Sequence, residues 1–255
     1  MNELTIRAHV QAIDDCNQRG GRMLSLVDLL DAGTVDLPLA AYLAAVMRCG
    51  ASLLVGARPG AAGKTAVMGA LINFVPDHTV IYPIETPAVL AAALCDTHPG
   101  DTCYLAHEVG RGHYYAYIWG REARAFFALA AKGHIIATNL HADTLEETRD
   151  QLCRENGVAR THLDAVAVKV YLRVERVRGG AMRRLIDRVY ESDGLRDRLL
   201  WTGREDGTFT RLEDSALVSS EQEEAYAGFL IALPRRDVRR IGAVRRELLG
   251  FGDPT

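Results

Sequence analysis

Residues 4–17 carry apolar side chains at Leu4, Ile6, Ala8, Val10 and Ile13, mostly three or four apart, before Gly20-Gly21. That spacing predicts a helix followed by a stop. A second helix is expected from Asp36, whose carboxylate can cap it. Pro38 is tolerated in its first turn, and Leu39, Tyr42, Leu43, Val46 and Met47 form the apolar stripe. Residues 51–55 are a continuous apolar run ending at Gly56, the pattern of a buried strand. A glycine-rich turn then leads into helical residues 64–73. Strands are expected at 79–84, 102–106 and 134–138, with a helix at 87–94 between the first two. Trp119, Ala123, Phe126, Phe127 and Ala130 make a buried helical stripe before the third. Thr144-x-x-Glu147 has the form of a capping box, opening a helix that ends at Asn156-Gly157.

Strands and helices alternating at these lengths predict an α/β fold with a mostly parallel central sheet. From about residue 165 the rhythm changes. Residues 165–174 and 182–190 flank Gly179-Gly180 as a hairpin, 199–202 and 208–212 add short strands, and 221–233 and 238–249 are terminal helices. The expected organisation is a helical N-terminal segment (1–50) packed on a core (51–190), with C-terminal strands and helices (191–255).

Composition narrows the class. The chain has 255 residues, 48% hydrophobic and 25% charged, enough apolar material for a sizeable core. Its 30 basic and 33 acidic residues leave a net charge of −3, which supplies no general attraction to nucleic acid or anionic membranes. No apolar run approaches the roughly 20 residues of a membrane span, and Glu3 interrupts any charged-then-apolar leader. Cys16, Cys49, Cys95, Cys103 and Cys153 form no C-x-x-C pair, so they are expected as reduced thiols in a cytoplasmic protein. Lysine occurs only at Lys64, Lys132 and Lys169.

Lys64 sits in the most informative stretch, Gly56-Ala57-Arg58-Pro59-Gly60-Ala61-Ala62-Gly63-Lys64-Thr65, between a buried strand and a helix. In a phosphate-binding loop, the backbone N–H groups of such a turn face one phosphate and the helix presents its positive end. The lysine bridges the outer phosphates and the hydroxyl holds Mg²⁺. Gly63-Lys64-Thr65 fits the end of that pattern. Arg58 stands where the pattern begins with glycine, and Gly60 lies one residue before the usual middle glycine. Either the loop is longer, starting at Gly56, or its curl differs.

A phosphate cradle also needs carboxylates at the ends of neighbouring parallel strands, to polarise water and hold the metal's water shell. Glu85 ends the strand at 79–84, Glu108 follows the strand at 102–106, and His141 follows the strand at 134–138.

This ordered set resembles the secretion ATPases of type II and type IV systems, which include pilus assembly and retraction motors. The resemblance runs from about Leu24 to Tyr190. Besides Gly63-Lys64-Thr65 it rests on Asn73-Phe74-Val75-Pro76-Asp77 and on Ile84-Glu85-Thr86-Pro87, similar to the family's acidic "Asp box". His107-Glu108-Val109 is similar to an atypical Walker B, Trp119-Gly120-Arg121-Glu122-Ala123 to the start of the helix after it, and Ala137-Thr138-Asn139-Leu140-His141-Ala142 to the "His box". The chain differs in having Thr86 after Glu85, Gly110 where the family has Arg, and extra residues 112–117. With about 50 residues before the loop, it resembles a short member lacking the usual N-terminal domain.

The resemblance implies a RecA-like ATPase using ATP and Mg²⁺, a homo-oligomer of up to six subunits, and a cytoplasmic place beside a membrane-platform or secretion partner. It implies a nucleotide held by Gly60, Ala61, Ala62, Gly63, Lys64 and Thr65, with Thr65 on Mg²⁺ and Glu108 reaching the metal through water. Glu85, Glu108 and His141 would be the catalytic set. Two Arg clusters, Arg173, Arg176, Arg178, Arg183, Arg184 and Arg188, and Arg235, Arg236, Arg239, Arg240, Arg245 and Arg246, stand outside this scheme. They are either solvated or salt-bridged surface, or a subunit interface, an Arg reaching a neighbour's phosphates, or a surface for nucleic acid. Three function classes follow: an ATP-driven motor or switch, a nucleotide-binding regulator with slow turnover, and a nucleic-acid-associated RecA-like ATPase.

Overall fold

Strand β1 (Leu53–Gly56) alternates its side chains between two cores. Leu53 and Val55 enter one and Leu54 the other, as the two-residue period of a strand covered on both faces requires. The same alternation recurs in β3 (Thr102–Val109), where Cys103 and Leu105 oppose Tyr104 and Ala106. In β5 (Ile135–Leu140), Ile135 and Ala137 oppose Ile136. These elements belong to a computed structural model that describes residues 3–17, 20–176 and 180–252.

Among the described residues one sheet of nine strands runs β2-β3-β5-β1-β6-β7-β8-β9. Its other strands are β2 (Val80–Pro83), β4 (Tyr117–Ile118), β6 (Val168–Arg176), β7 (Met182–Ser192), β8 (Asp197–Gly203) and β9 (Phe209–Arg211), with β4 beside β3. Strands β2 through β6 pair in parallel, and β6 through β9 pair antiparallel. The result is an α/β fold with a mostly parallel central sheet, in which one strand, β5, separates β1, before the glycine-rich turn, from β3, which carries Glu108.

One face carries α1 (Glu3–Asp14), α2 (Leu26–Asp31), α3 (Leu37–Arg48), α4 (Lys64–Ile72), α9 (Ser220–Arg235) and α10 (Ile241–Phe251). The other carries α5 (Pro87–Ala93), α6 (Arg121–Ala131), α7 (Leu145–Arg149) and α8 (Arg160–Asp164), with a π-helical turn, Asp150–Glu155, after α7. Asp36 caps α3 by accepting from the Leu39 N–H, and every residue from Leu39 to Arg48 is buried. A helix apolar on nearly all sides must be covered on both, here by α9 and by strands β7 and β8, where Tyr42 meets Glu191 and Trp201. No helix among the described residues is long and apolar enough to cross a membrane.

Several elements extend beyond their sequence expectations. Helix α2 adds a turn between the two N-terminal helices, closed by a capping box of Ser25 and Asp28. Strand β3 continues to Val109 because β4 pairs with Glu108 and Val109, so Glu108 lies inside the strand rather than after it. The expected hairpin forms from β6 and β7, although Gly179 and Arg178 lie outside the described residues.

Helix α4 is gripped at its C-terminal end. The buried Arg245 of α10 donates to the carbonyls of Asn73, Val75 and Pro76, placing a cation where helix carbonyls are unsatisfied. Asn73 also donates to Ile241 O and contacts His9 Nε2 of α1 at 3.2 Å. Burial, with Arg245 nearby, drives the His9 imidazole down to about 3, so it folds neutral. The unfolded chain therefore binds a proton that the native state refuses, and stability falls as pH drops below the ordinary histidine value of 6.5 toward 3. In urea titrations between pH 7 and 4, the native chain should lose up to about 1.4 kcal/mol per pH unit more than His9→Gln. Equal slopes would show that His9 takes its proton without penalty.

Candidate functional site

The turn after β1 curls because three constraints act on it. Gly56 passes against β5's continuation and β6, where an added Cβ would meet Ala142 O at 2.6 Å and the Tyr171 ring at 2.7 Å. Arg58 N–H donates to Asp143 Oδ1 at 2.6 Å, and its guanidinium pairs with Glu147 at 2.9 Å. A glycine is not needed at position 58, whose backbone lies outside the left-handed region. The left-handed residues of the turn are Ala61 (φ 64°) and Gly63 (φ 96°). Gly60 is not left-handed, and a Cβ there would meet nothing within 4 Å. The conformation usually reserved for glycine thus falls on Ala61, at a cost of about 1–2 kcal/mol.

Helix α4 starts at Lys64 with Gly63 as its N-cap and no side chain capping it. With residues 60–66 it lines a cavity of about 520 Å³, together with His107, Glu108, Tyr117, His141 and Arg184, and with Cys16, Asn17, Gly20, Arg22, Met23 and Leu24 of the N-terminal segment. That volume lies within the range of small-molecule sites.

Three of the expected residues meet on the cavity floor. Lys64 Nζ, buried, lies 3.1 Å from Ala57 O, 3.3 Å from His141 Nδ1 and 3.5 Å from Glu108 Oε2. His141 Nε2 is 2.8 Å from Glu108 Oε1, and its Nδ1 is 3.1 Å from Arg58 O. The parallel order brings this about: β5 lies between β1 and β3, so His141 stands directly between loop and acid. Thr65 Oγ1 is 3.2 Å from His107 Nε2. Burial depresses the His107 imidazole, which also hydrogen-bonds the Tyr115 backbone. In the tautomer that donates to that carbonyl, Nε2 is bare and accepts from the Thr65 hydroxyl, leaving the Thr65 oxygen's lone pairs for a cation.

Glu85 is not brought in. Its carboxylate accepts from Tyr115 Oη at 3.1 Å and lines a separate, shallow depression with Thr86, Pro87 and Glu122. Strand β2 is three positions from β1, roughly 14 Å at ordinary strand spacing. Four residues join the site without having been expected there. His107 touches Thr65, Tyr117 donates to Glu108 Oε1 at 3.2 Å, Asp143 holds Arg58 N–H, and Arg184 Nε donates to Ala61 O at 2.8 Å. Residues 112–117, extra in sequence, return the chain as β4 and so deliver Tyr117 to Glu108.

Six of the twelve arginines of the two clusters pair with carboxylates among the described residues. Arg173 and Arg183 pair with Glu175, Arg188 with Asp187, Arg236 with Glu247, Arg239 with Asp31 and Arg246 with Glu3.

No protein-family model matches the chain, and no curated protein does. Solved structures similar to it include the VirB11 ATPase from the Brucella suis type IV secretion system, in complex with sulphate. That one shares 22% identity over 65% of this chain and 54% of the other, with a TM-score of 0.46. The ATPase DotB of Yersinia pseudotuberculosis is 11% identical over 88% and 63%, with a TM-score of 0.46. DotB of Legionella pneumophila is 10% identical over 91% and 63%, with a TM-score of 0.42. The chain thus spans 54% to 63% of the length of these structures.

Gly56→Ala should lower stability by more than about 2 kcal/mol, because backbone rather than a yielding side chain opposes the new methyl. Gly60→Ala should stay within about 0.5 kcal/mol of the native chain. Thermal melts of the two variants check this, and equal melting temperatures would contradict the described turn.

Proposed function

We propose that the chain is a Mg²⁺-dependent ATPase of the P-loop class, and the observation carrying this is the Lys64–Glu108–His141 cluster beneath an uncapped helix N-terminus. The residues present suit a triphosphate. The turn and the first residues of α4 line the cavity, and a helix N-terminus favours anions. Lys64 is held by a carbonyl, an imidazole and a carboxylate, all of which a phosphate oxygen can replace.

In the proposed cycle Lys64 leaves Glu108 for the outer phosphates and neutralises their charge. Glu108, kept in place by His141 and Tyr117, then orients a water and accepts its proton as the water oxygen bonds to the terminal phosphorus. The bond from that phosphorus to the bridging oxygen breaks, releasing ADP and phosphate. Mg²⁺, when bound, offsets charge on the phosphate oxygens. Thr65 would hold it directly and Glu108 through water. His141 touches loop, lysine and acid together, so its contacts change with occupancy of the phosphate site. Asp143, two residues on, carries that change toward α7. No step falls to Glu85, which stands outside the cavity.

The biological setting we propose, from the motif order, is an oligomer that drives a conformational or assembly cycle beside a membrane machine. A second function remains in view for a specific reason. Glu108 receives Lys64, His141 and Tyr117 at once, and its carboxylate oxygens must be given up by these partners before they can take a water. A nucleotide-binding regulator with slow turnover follows if those donors stay in place. Six of the twelve cluster arginines are paired with carboxylates, and the net charge of −3 adds no general attraction to nucleic acid.

Phosphate release measured with MgATP should vanish in Lys64→Ala and fall at least about a hundredfold in Glu108→Gln, while Glu108→Gln still binds nucleotide. Binding without release in the native chain selects the regulator, and no binding at all overturns both.

A further inference from the structure

Arg184 departs from Arg173, Arg183 and Arg188 of the β6–β7 hairpin. Arg173 and Arg183 share Glu175, Arg183 also donates to the carbonyls of Glu205 and Asp206, and Arg188 pairs with Asp187. Among the described residues no carboxylate lies within ion-pair distance of Arg184, whose side chain crosses to the phosphate loop instead.

The strand period explains how it gets there. Ile186 points into the core that β7 shares with α4. Arg184, two residues along, lies on the same face but beyond the edge of that core, opposite Val174 in the register. Its Nε donates to Ala61 O at 2.8 Å, its Cδ lies 3.4 Å from where a Cβ on Gly63 would stand, and it lines the cavity beside Lys64.

Building on the nucleotide reading of this cavity, we propose that Arg184 is a second phosphate-binding cation, supplied in cis by the hairpin. The Ala61 carbonyl uses only Nε, which orients the guanidinium and leaves both terminal nitrogens to donate. A planar fork of this kind matches two phosphate oxygens. A triphosphate carries more charge than Lys64 alone offsets, and arginine stays charged across the working pH range. The same side chain fixes the carbonyl of Ala61, the residue that holds the left-handed turn, so loop shape and phosphate binding are joined in one residue. It follows that the hairpin, and the antiparallel half of the sheet behind it, responds to nucleotide.

Titration calorimetry with MgATP and MgADP tests this on the full chain, using Arg184→Gln, Arg184→Gln with Ala61→Gly, and Arg176→Gln. Arg184→Gln should weaken both nucleotides by at least about tenfold, the scale of one charged hydrogen bond. Arg176→Gln, on the same hairpin, should stay within about twofold of the native chain, well inside that scale. Ala61→Gly removes the need to prop the turn, so it should not restore affinity if Arg184 touches phosphate. Restoration by Ala61→Gly, or near-native affinity in Arg184→Gln, overturns the role of Arg184 while leaving the nucleotide site intact. A native chain that binds neither nucleotide overturns the site and Arg184's role together.

Discussion

A lysine buried at the foot of a helix has to be answered by negative or dipolar groups, and Lys64 is answered from three strands at once. The Ala57 carbonyl comes from the end of β1, His141 from the end of β5 and Glu108 from within β3. Desolvating an ammonium without such partners costs several kcal/mol. The parallel order β3-β5-β1 is what brings these groups to one point. Moving any of those strands would strand a charge. On the proposed reading, chemistry and fold are held by the same contact, because a phosphate entering the cavity would compete for the group that closes it.

The helix bearing Lys64 is fixed at its other end by a different set of residues. Arg245 and Asn73 tie the C-terminal end of α4 to α10, and His9 ties it to α1. The chain's first and last described helices thus meet at the helix that carries the phosphate loop. The N-terminal segment also walls the cavity. The two sets of contacts hold opposite ends of a single nine-residue helix, Lys64–Ile72.

Much of this was legible from residue spacing. The alternating strands, the Asp36 cap and the Gly63-Lys64-Thr65 junction each follow from local rules that the tertiary structure obeys. The signal for α2 was also present, as Ser25 three residues before Asp28, but six residues give too little periodicity to stand out. Strand order was not legible. Glu85 and Glu108 both follow apolar runs, and only the pairing of β2 outside β3 separates them. Arg184 was visible as one arginine in a patch. Its freedom from carboxylates depends on the β6–β7 register, which spacing along the chain does not encode. The reach of Tyr117 to Glu108 depends likewise on β4 returning beside β3.

The departures in the phosphate loop acquire physical reasons in the same way. Arg58 replaces conformational freedom with anchorage, to Asp143 through its backbone and to Glu147 through its side chain. Ala61 accepts a left-handed backbone, and Arg184 holds its carbonyl. A crystal structure with Mg²⁺ and a non-hydrolysable ATP analogue tests the central claim most directly. The account predicts phosphates against the N–H groups of residues 60–65, with Lys64 Nζ turned from Glu108 onto them. Crystals grown at saturating analogue with Lys64 still on Glu108 and no phosphate in the turn would contradict it.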